Sequence, residues 1–193
     1  MSLEILYISF YSYFLGSIPF GLILTKFFLD KDLRDVGSGN IGATNVLRTG
    51  KKFLGALTLF LDSLKAYVTI IATYKYFTDY IYLSALLCFL GHIFPIWLNF
   101  KGGKGIAVFL GVLFALSIKY GIIFIVCWTI ILYLTKYSSI SSLVSTGIIF
   151  FYSIYLNNST ESIFFFIIFI IAIYTHRENI VRLKNKTENK INL

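Results

Sequence analysis

Three glycines are interleaved with hydroxyl and amide side chains in Gly37-Ser38-Gly39-Asn40-Ile41-Gly42-Ala43-Thr44-Asn45, and Arg48 and Lys51-Lys52 follow. Glycines let backbone N–H groups converge on an anion. Ser38 and Thr44 can donate hydroxyls, and Arg48 offers a planar fork to phosphate oxygens. The plainer reading is an interhelical connection whose glycines and asparagines only turn the chain. A dense polar loop beside apolar helices calls for a stronger reason. We therefore assign Gly37, Ser38, Gly39, Asn40, Gly42, Thr44, Asn45 and Arg48 to phosphate binding. The spacing is that of neither a P-loop nor a dinucleotide fingerprint, and no strand precedes it.

A second island, Phe100-Lys101-Gly102-Gly103-Lys104-Gly105, sets two lysines around two glycines ahead of an apolar run. It can approach an anion closely, and the following helix would add its N-terminal amides. Lys101, Gly102, Gly103, Lys104 and Gly105 are thus a second phosphate contact. As a mere membrane anchor the lysines would be accounted for, but the glycines would not. The serines of Tyr137-Ser138-Ser139-Ile140-Ser141-Ser142 supply further hydroxyls, with Ser139 and Ser142 as the candidates, although a serine also starts many helices. In Thr175-His176-Arg177-Glu178-Asn179-Ile180-Val181-Arg182, a continuing helix puts His176 and Asn179 on one face. A histidine at this position can anchor, cap or catalyse.

These islands must be held by apolar elements. The chain has 193 residues, 58% hydrophobic, 19% aromatic and only 13% charged. That excludes soluble globular, disordered and nucleic-acid-binding classes and leaves an all-α integral membrane protein. Seven spans are expected, at 3 to 29, 53 to 74, 79 to 98, 106 to 118, 120 to 135, 142 to 157 and 160 to 176, in a single domain over 1–193. The first begins after Glu4 without a basic leader or cleavage pattern, so it reads as a retained span. Pro19, with Gly16 and Gly21, should bend it, and His92-Ile93-Phe94-Pro95 should bend the third. Asp62 and Lys65 lie three apart inside the second span. There they must face the bundle interior, as a structural ion pair locking the loop or, less simply, as a proton relay. Cys88 and Cys127 lie in apolar runs as small core residues. No metal-ligand set is visible, and no cofactor is expected.

The net charge of +8 reflects topology. Thirteen of the seventeen Lys and Arg residues fall on one set of loops and the tail, against only Lys75 and Lys119 on the other set. Basic loops stay in the cytoplasm, which puts the N-terminus outside, the C-terminus inside and every polar island on the cytoplasmic face.

Taken in order, these motifs resemble the bacterial membrane glycerol-3-phosphate acyltransferases that use acyl phosphate. The resemblance runs from Gly16-Ser17-Ile18-Pro19 through the glycine loop to Arg48. It continues in Gly55, Thr58, Asp62 and Lys65, then Gly91-His92, the Gly102-Gly103-Lys104-Gly105 loop, and His176, Asn179, Ile180 and Arg182. Val108, Ala66 and Lys136 depart from residues common in the family, outside the central motifs.

The resemblance implies seven membrane helices in the bacterial cytoplasmic membrane. It also implies transfer of a fatty acyl group from acyl phosphate to the 1-hydroxyl of glycerol 3-phosphate. The products would be lysophosphatidic acid and inorganic phosphate, in the first step of phospholipid synthesis. Partners would be the two substrates, the bilayer and an acyl-phosphate-producing enzyme, with no nucleic acid. Ser38, Arg48, Lys104, His176 and Asn179 would be the catalytic set. The proton acceptor is either His176 or a substrate phosphate, since no carboxylate pair or Ser/His/Asp constellation is present. Read without the resemblance, the residues also fit a small anion transporter, although only Asp62 and Lys65 would charge its route.

Overall fold

The computed structural model describes residues 3–191, whose regular elements are all helical. They are α1 (Leu3–Gly16), α2 (Phe20–Leu29), α3 (Ala43–Leu47), α4 (Lys52–Tyr76), α5 (Ile81–Ile93), α6 (Ile106–Leu116), α7 (Ile118–Thr135), α8 (Ser138–Tyr155), α9 (Ser159–Thr175) and α10 (Arg177–Lys184).

Five segments are long and apolar enough to cross a membrane: Leu3–Leu29, Lys52–Tyr76, Thr78–Leu98, Ile118–Thr135 and Ser138–Tyr155. The pair α9 and α10 makes a sixth if taken as one span, although it bends by 57°. Helix α6 is apolar but has only 11 residues, about 16 Å at the helical rise against a hydrocarbon core of about 30 Å. Large apolar side chains cover the outside of these helices, among them Phe10, Phe60, Ile130 and Phe151, as expected for a surface meeting lipid rather than water.

The chain forms two compact units, Met1–Leu116 and Ser117–Leu193. In the first, α4 packs on α1, α2, α3, α5 and α6, and α1 packs on α5. The α1–α5 crossing is tight because Gly16 lies on the backbone of Cys88 and Gly91 on the carbonyl of Tyr13. A Cβ at either position would overlap those atoms. Small residues are what let membrane helices approach this closely. One face of α4 carries buried Thr58, Asp62, Lys65, Thr69 and Thr73. The three threonines bond back to carbonyls of their own helix at 2.6 to 2.9 Å, so their hydroxyls cost little in lipid.

Both expected bends are present. Helix α1 ends at Gly16 and α2 restarts after Pro19, which has no N–H to continue the ladder. Helix α5 stops at Ile93, two residues before Pro95.

In the second unit α8 packs on α7 and α9, and α10 follows α9. Phe150 of α8 stacks against Phe169 of α9, and Trp128 Nε1 of α7 donates to Ser142 Oγ at 3.1 Å. One expectation is corrected here. The span expected at 142 begins at Ser138: Ser141 and Ser142 return their hydroxyls to Tyr137 O and Ser138 O at 2.9 and 2.8 Å. Serines that satisfy themselves in this way extend a helix into an apolar environment. The last span ends about where it is expected to, with His176 at the bend between α9 and α10, so no continuous helix carries His176 and Asn179 on one face.

Candidate functional site

The glycine loop rests on its own small core, in which buried Leu22, Leu33, Ile41, Val46 and Leu54 pack with Leu29, Val36 and Leu98. Above it, Asn45 ties the loop together. Its Nδ2 donates to Leu33 O at 3.1 Å and Val36 O at 2.8 Å, while its Oδ1 accepts from Ser38 N–H at 3.1 Å. Arg48 Nη1 approaches the same oxygen at 3.5 Å. Asn40 Oδ1 accepts from Gly42 N–H at 2.9 Å, closing the turn ahead of α3. Gly37 and Gly39 hold left-handed backbone, φ +57° and +69°, which the loop requires and L residues avoid. The result exposes Ser38, Gly39 and Arg48 and leaves Thr44 half-buried. Asn45 departs from its expected role. It is buried with its amide spent on the loop, so it shapes the site instead of meeting a phosphate.

At the start of this loop, Asp32 accepts Arg34 Nη2 at 2.6 Å, Nε at 2.9 Å and the Arg34 N–H at 2.9 Å. The Arg34 side chain, followed by its backbone N–H, pulls the Asp32 carboxyl down to about 2.

The second island folds back on the end of α5. Gly102 N–H donates to Ile93 O at 2.9 Å and Gly103 N–H to His92 O at 3.0 Å. A helix leaves its last carbonyls unpaired, and these two amides supply the missing partners. This corrects the expected use of Gly102 and Gly103, whose N–H groups are committed to α5 and not presented to an anion. Glycine is required because a Cβ on Gly102 would strike the His92 carbonyl, and one on Gly103 the His92 ring. Gly105, at φ +84°, lies buried against the Phe89 ring. Lys101 is exposed and Lys104 half-buried. Leu98 reaches the core beneath the first loop, so the two islands adjoin.

Below them, Lys65 Nζ stands 2.6 Å from Asp62 Oδ1, 2.5 Å from Ile18 O and 3.0 Å from His92 Nδ1, with Phe20 under the ammonium at 5.6 Å.

In the second unit, His176 is buried and its Nδ1 lies 2.8 Å from Ala172 O. A carbonyl only accepts, so Nδ1 carries a proton, and Nε2 is the nitrogen with a lone pair when the ring is neutral. Asn179 is also buried. Its Nδ2 donates to Glu188 Oε1 at 2.6 Å, which also accepts from Ser139 Oγ at 3.0 Å. Arg182 Nε donates to Glu188 Oε2 at 2.7 Å. Burial pushes the Glu188 carboxyl up, but the bonds from Arg182, Asn179 and Ser139 outweigh it and leave it below the usual range. Ser142 departs from its expected role: its hydroxyl donates to Ser138 O and accepts from Trp128, inside the helix packing.

Two residues escaped the sequence reading. Glu188 is one of only two acids, with Glu178, in a strongly basic tail, and that scarcity is its signal. His92 enters the sequence reading as part of a bend and of the Gly91-His92 motif with no role of its own, although a histidine inside an apolar run calls for a buried partner. Among the described residues no three His, Cys, Asp or Glu side chains gather as a metal-binding group.

Long apolar helices, broken at prolines and joined by basic glycine loops, define a multi-pass integral membrane protein. A family model for glycerol-3-phosphate acyltransferase matches residues 6–186. A glycerol-3-phosphate acyltransferase of Pelagibacter ubique is 54% identical over 188 residues, covering 97% of this chain and 98% of the relative. One from Rhodopseudomonas palustris is 46% identical, covering 93% and 92%. The crystal structure of PlsY, an integral membrane glycerol 3-phosphate acyltransferase, in its glycerol 3-phosphate form superposes with a TM-score of 0.92. It is 36% identical and covers 98% of this chain and 96% of that one. The lysophosphatidic acid form gives a TM-score of 0.89 at 34% identity, over the same shares of the two chains. The chain belongs to the glycerol-3-phosphate acyltransferase family.

Proposed function

We propose that the protein moves a fatty acyl group from acyl phosphate to the 1-hydroxyl of glycerol 3-phosphate, releasing lysophosphatidic acid and inorganic phosphate. The observation that carries the reading is the exposed Ser38–Arg48 pair, fixed from behind by Asn45 Oδ1. An arginine fork beside a glycine-rich turn suits a phosphate, and both substrates of this reaction carry one. Relatives named glycerol-3-phosphate acyltransferase, and a related structure described in glycerol 3-phosphate and lysophosphatidic acid forms, support the acceptor and the product.

An acyl phosphate is already activated, so the protein has to align hydroxyl and carbonyl, neutralise phosphate charge and stabilise the developing oxyanion. The acceptor oxygen forms a bond to the acyl carbon, the bond from that carbon to the phosphate oxygen breaks, and the hydroxyl proton ends on the departing phosphate. Ser38, Asn40, Thr44, Arg48, Lys101 and Lys104 hold phosphate groups. His176 and Asn179 place the acceptor or the reacting carbonyl, with Ser139 beside them. The proton passes either through His176 Nε2 or directly to a substrate phosphate oxygen.

The proposed topology is one polytopic domain of seven membrane helices in the bacterial cytoplasmic membrane, N-terminus outside and C-terminus inside. The charge asymmetry of the loops supports it. A functional link to an acyl-phosphate-producing enzyme belongs to the same reading. The test is phosphate release from long-chain acyl phosphate by the purified protein, with and without glycerol 3-phosphate. Release that needs the acceptor and equals the lysophosphatidic acid formed is expected. Folded protein that makes no such product overturns the reading.

A further inference from the structure

We infer that His92 is a positioning residue for this reaction, holding the Lys104 loop in place while Lys65 and Asp62 fix its own ring. The inference rests on the function proposed above for its kinetic consequence, and on geometry alone for its structural one.

Two parts of His92 touch the same neighbour. Its carbonyl accepts the Gly103 N–H at 3.0 Å, and its ring lies so close to Gly103 Cα that a Cβ there would overlap Nε2. Main chain and side chain together therefore decide where Gly103 stands, and Lys104 is the next residue. The ring is held in turn. An ammonium has three protons and accepts nothing. Lys65 Nζ has three acceptors within reach: Asp62 Oδ1 at 2.6 Å, Ile18 O at 2.5 Å and His92 Nδ1 at 3.0 Å. His92 Nδ1 must accept there, which places the ring proton on Nε2 and fixes both tautomer and rotation.

The cluster joins three places where the chain departs from helix: the Pro19 break through Ile18, the end of α5, and the loop at 100–105. All three groups are nearly fully buried, His92 at 4% exposure and Asp62 at 1%. A buried ion pair is a poor source of net stability, because desolvation offsets most of its attraction. Directional bonds, by contrast, hold one arrangement where apolar packing would tolerate several. Lys104 must be held to within a fraction of an ångström of a phosphate to be useful, so the gain is in placement.

The test uses full-length protein in lipid nanodiscs, with Cys88 and Cys127 replaced by Ala and a spin label on Phe100→Cys, an exposed loop position. The variants are His92→Leu, His92→Asn and Gly103→Ala. Asn keeps an acceptor near the Nδ1 position, whereas Leu removes it. Gly103→Ala removes neither the ammonium nor any acceptor but sets a Cβ against the His92 ring, so it disturbs the contact from the loop side and serves even if His92→Leu does not fold. We expect His92→Leu and Gly103→Ala to mobilise the label. Each should raise KM for the phosphate substrates about tenfold and lower kcat/KM about a hundredfold, the scale of an ångström-size misplacement. His92→Asn should restore both readouts. A merely structural role lowers the folded fraction, and with it the rate per total protein, at unchanged KM. Folded His92→Leu or Gly103→Ala protein with parental KM and parental label motion overturns the inference. If the parent forms no lysophosphatidic acid, the proposed function fails, while the label, which needs no substrate, still decides the positioning.

Discussion

Glu188 Oε1 accepts Asn179 Nδ2 at 2.6 Å from nine residues further along the chain. An amide whose NH2 is held in this way must present its carbonyl oxygen in the other direction, so the tail determines which end of Asn179 is offered.

The bond from Asn179 sets a pH dependence. Burial raises the Glu188 carboxyl, but the bonds from Arg182, Asn179 and Ser139 lower it further, below its usual 4.5. A value lower in the folded chain than in the unfolded one means stabilisation present above pH 4.5 and lost as pH falls through the folded value. The tail amides of Thr187 and Ile191 donate to Arg182 O and Lys136 O, both at 2.8 Å. Their hydrogen exchange, corrected for intrinsic rate, should be flat at neutral pH and rise as pH falls below the usual carboxylate range. Glu188→Gln should remove that dependence, and a wild-type profile that matches Glu188→Gln throughout the acid range would contradict the assignment.

Asn45 should be worth more than any residue it holds. Asn45→Ala leaves the Ser38 N–H and the Leu33 and Val36 carbonyls without this partner. The two carbonyls keep the N–H groups of Val36 and Gly39, so each of the three lost bonds costs about 0.5–1.5 kcal/mol. A loss of about 2–4 kcal/mol in thermal unfolding is expected, with phosphate affinity falling in step. Asn45→Asp, which keeps the acceptor and loses the donor, should fall between.

Much of this was legible in the residues. The first three spans lie where the apolar runs put them, because lipid enforces length and the prolines mark the breaks. The serine helix starts four residues ahead of the apolar run, and the break falls at His176 itself, for one reason. Side-chain hydroxyls and ring nitrogens can satisfy carbonyls of their own helix, and periodicity does not register that exchange. The phosphate islands were visible as composition. The division of labour within them was not, since Asn45 and Gly103 act through bonds to Leu33, Val36 and His92, which only the fold brings near.

His176 separates two routes for the proton. Its Nδ1 is committed to Ala172 O, so His176→Asn keeps a donor near that position and removes Nε2. If Nε2 takes the proton, kcat should fall about 10²–10⁴-fold. Near-parental kcat with an unchanged pH profile would place the proton on substrate phosphate instead.

The Asp62–Lys65 pair predicts an inequality. Lys65→Met strands a buried carboxylate and should cost about 3–5 kcal/mol. Asp62→Asn combined with Lys65→Met removes both charges and should be less destabilised than Lys65→Met alone in thermal unfolding. An additive double variant would show that the two do not act as a pair.

Gly102 and Gly103 complete the hydrogen bonding of α5 from beyond a turn that itself closes through Phe100 N–H to Pro95 O at 3.0 Å. The segment between Ile93 and Gly102 is therefore a measured length of chain, not a flexible tether. Side chains such as Ile96 and Phe100, which point outward, are open to exchange. The residue count is not: one insertion or deletion would set a side chain, or the wrong amide, against the His92 carbonyl. Over evolutionary time the outward-facing positions of this stretch should drift in spelling while Pro95, Leu98 and the spacing stay fixed.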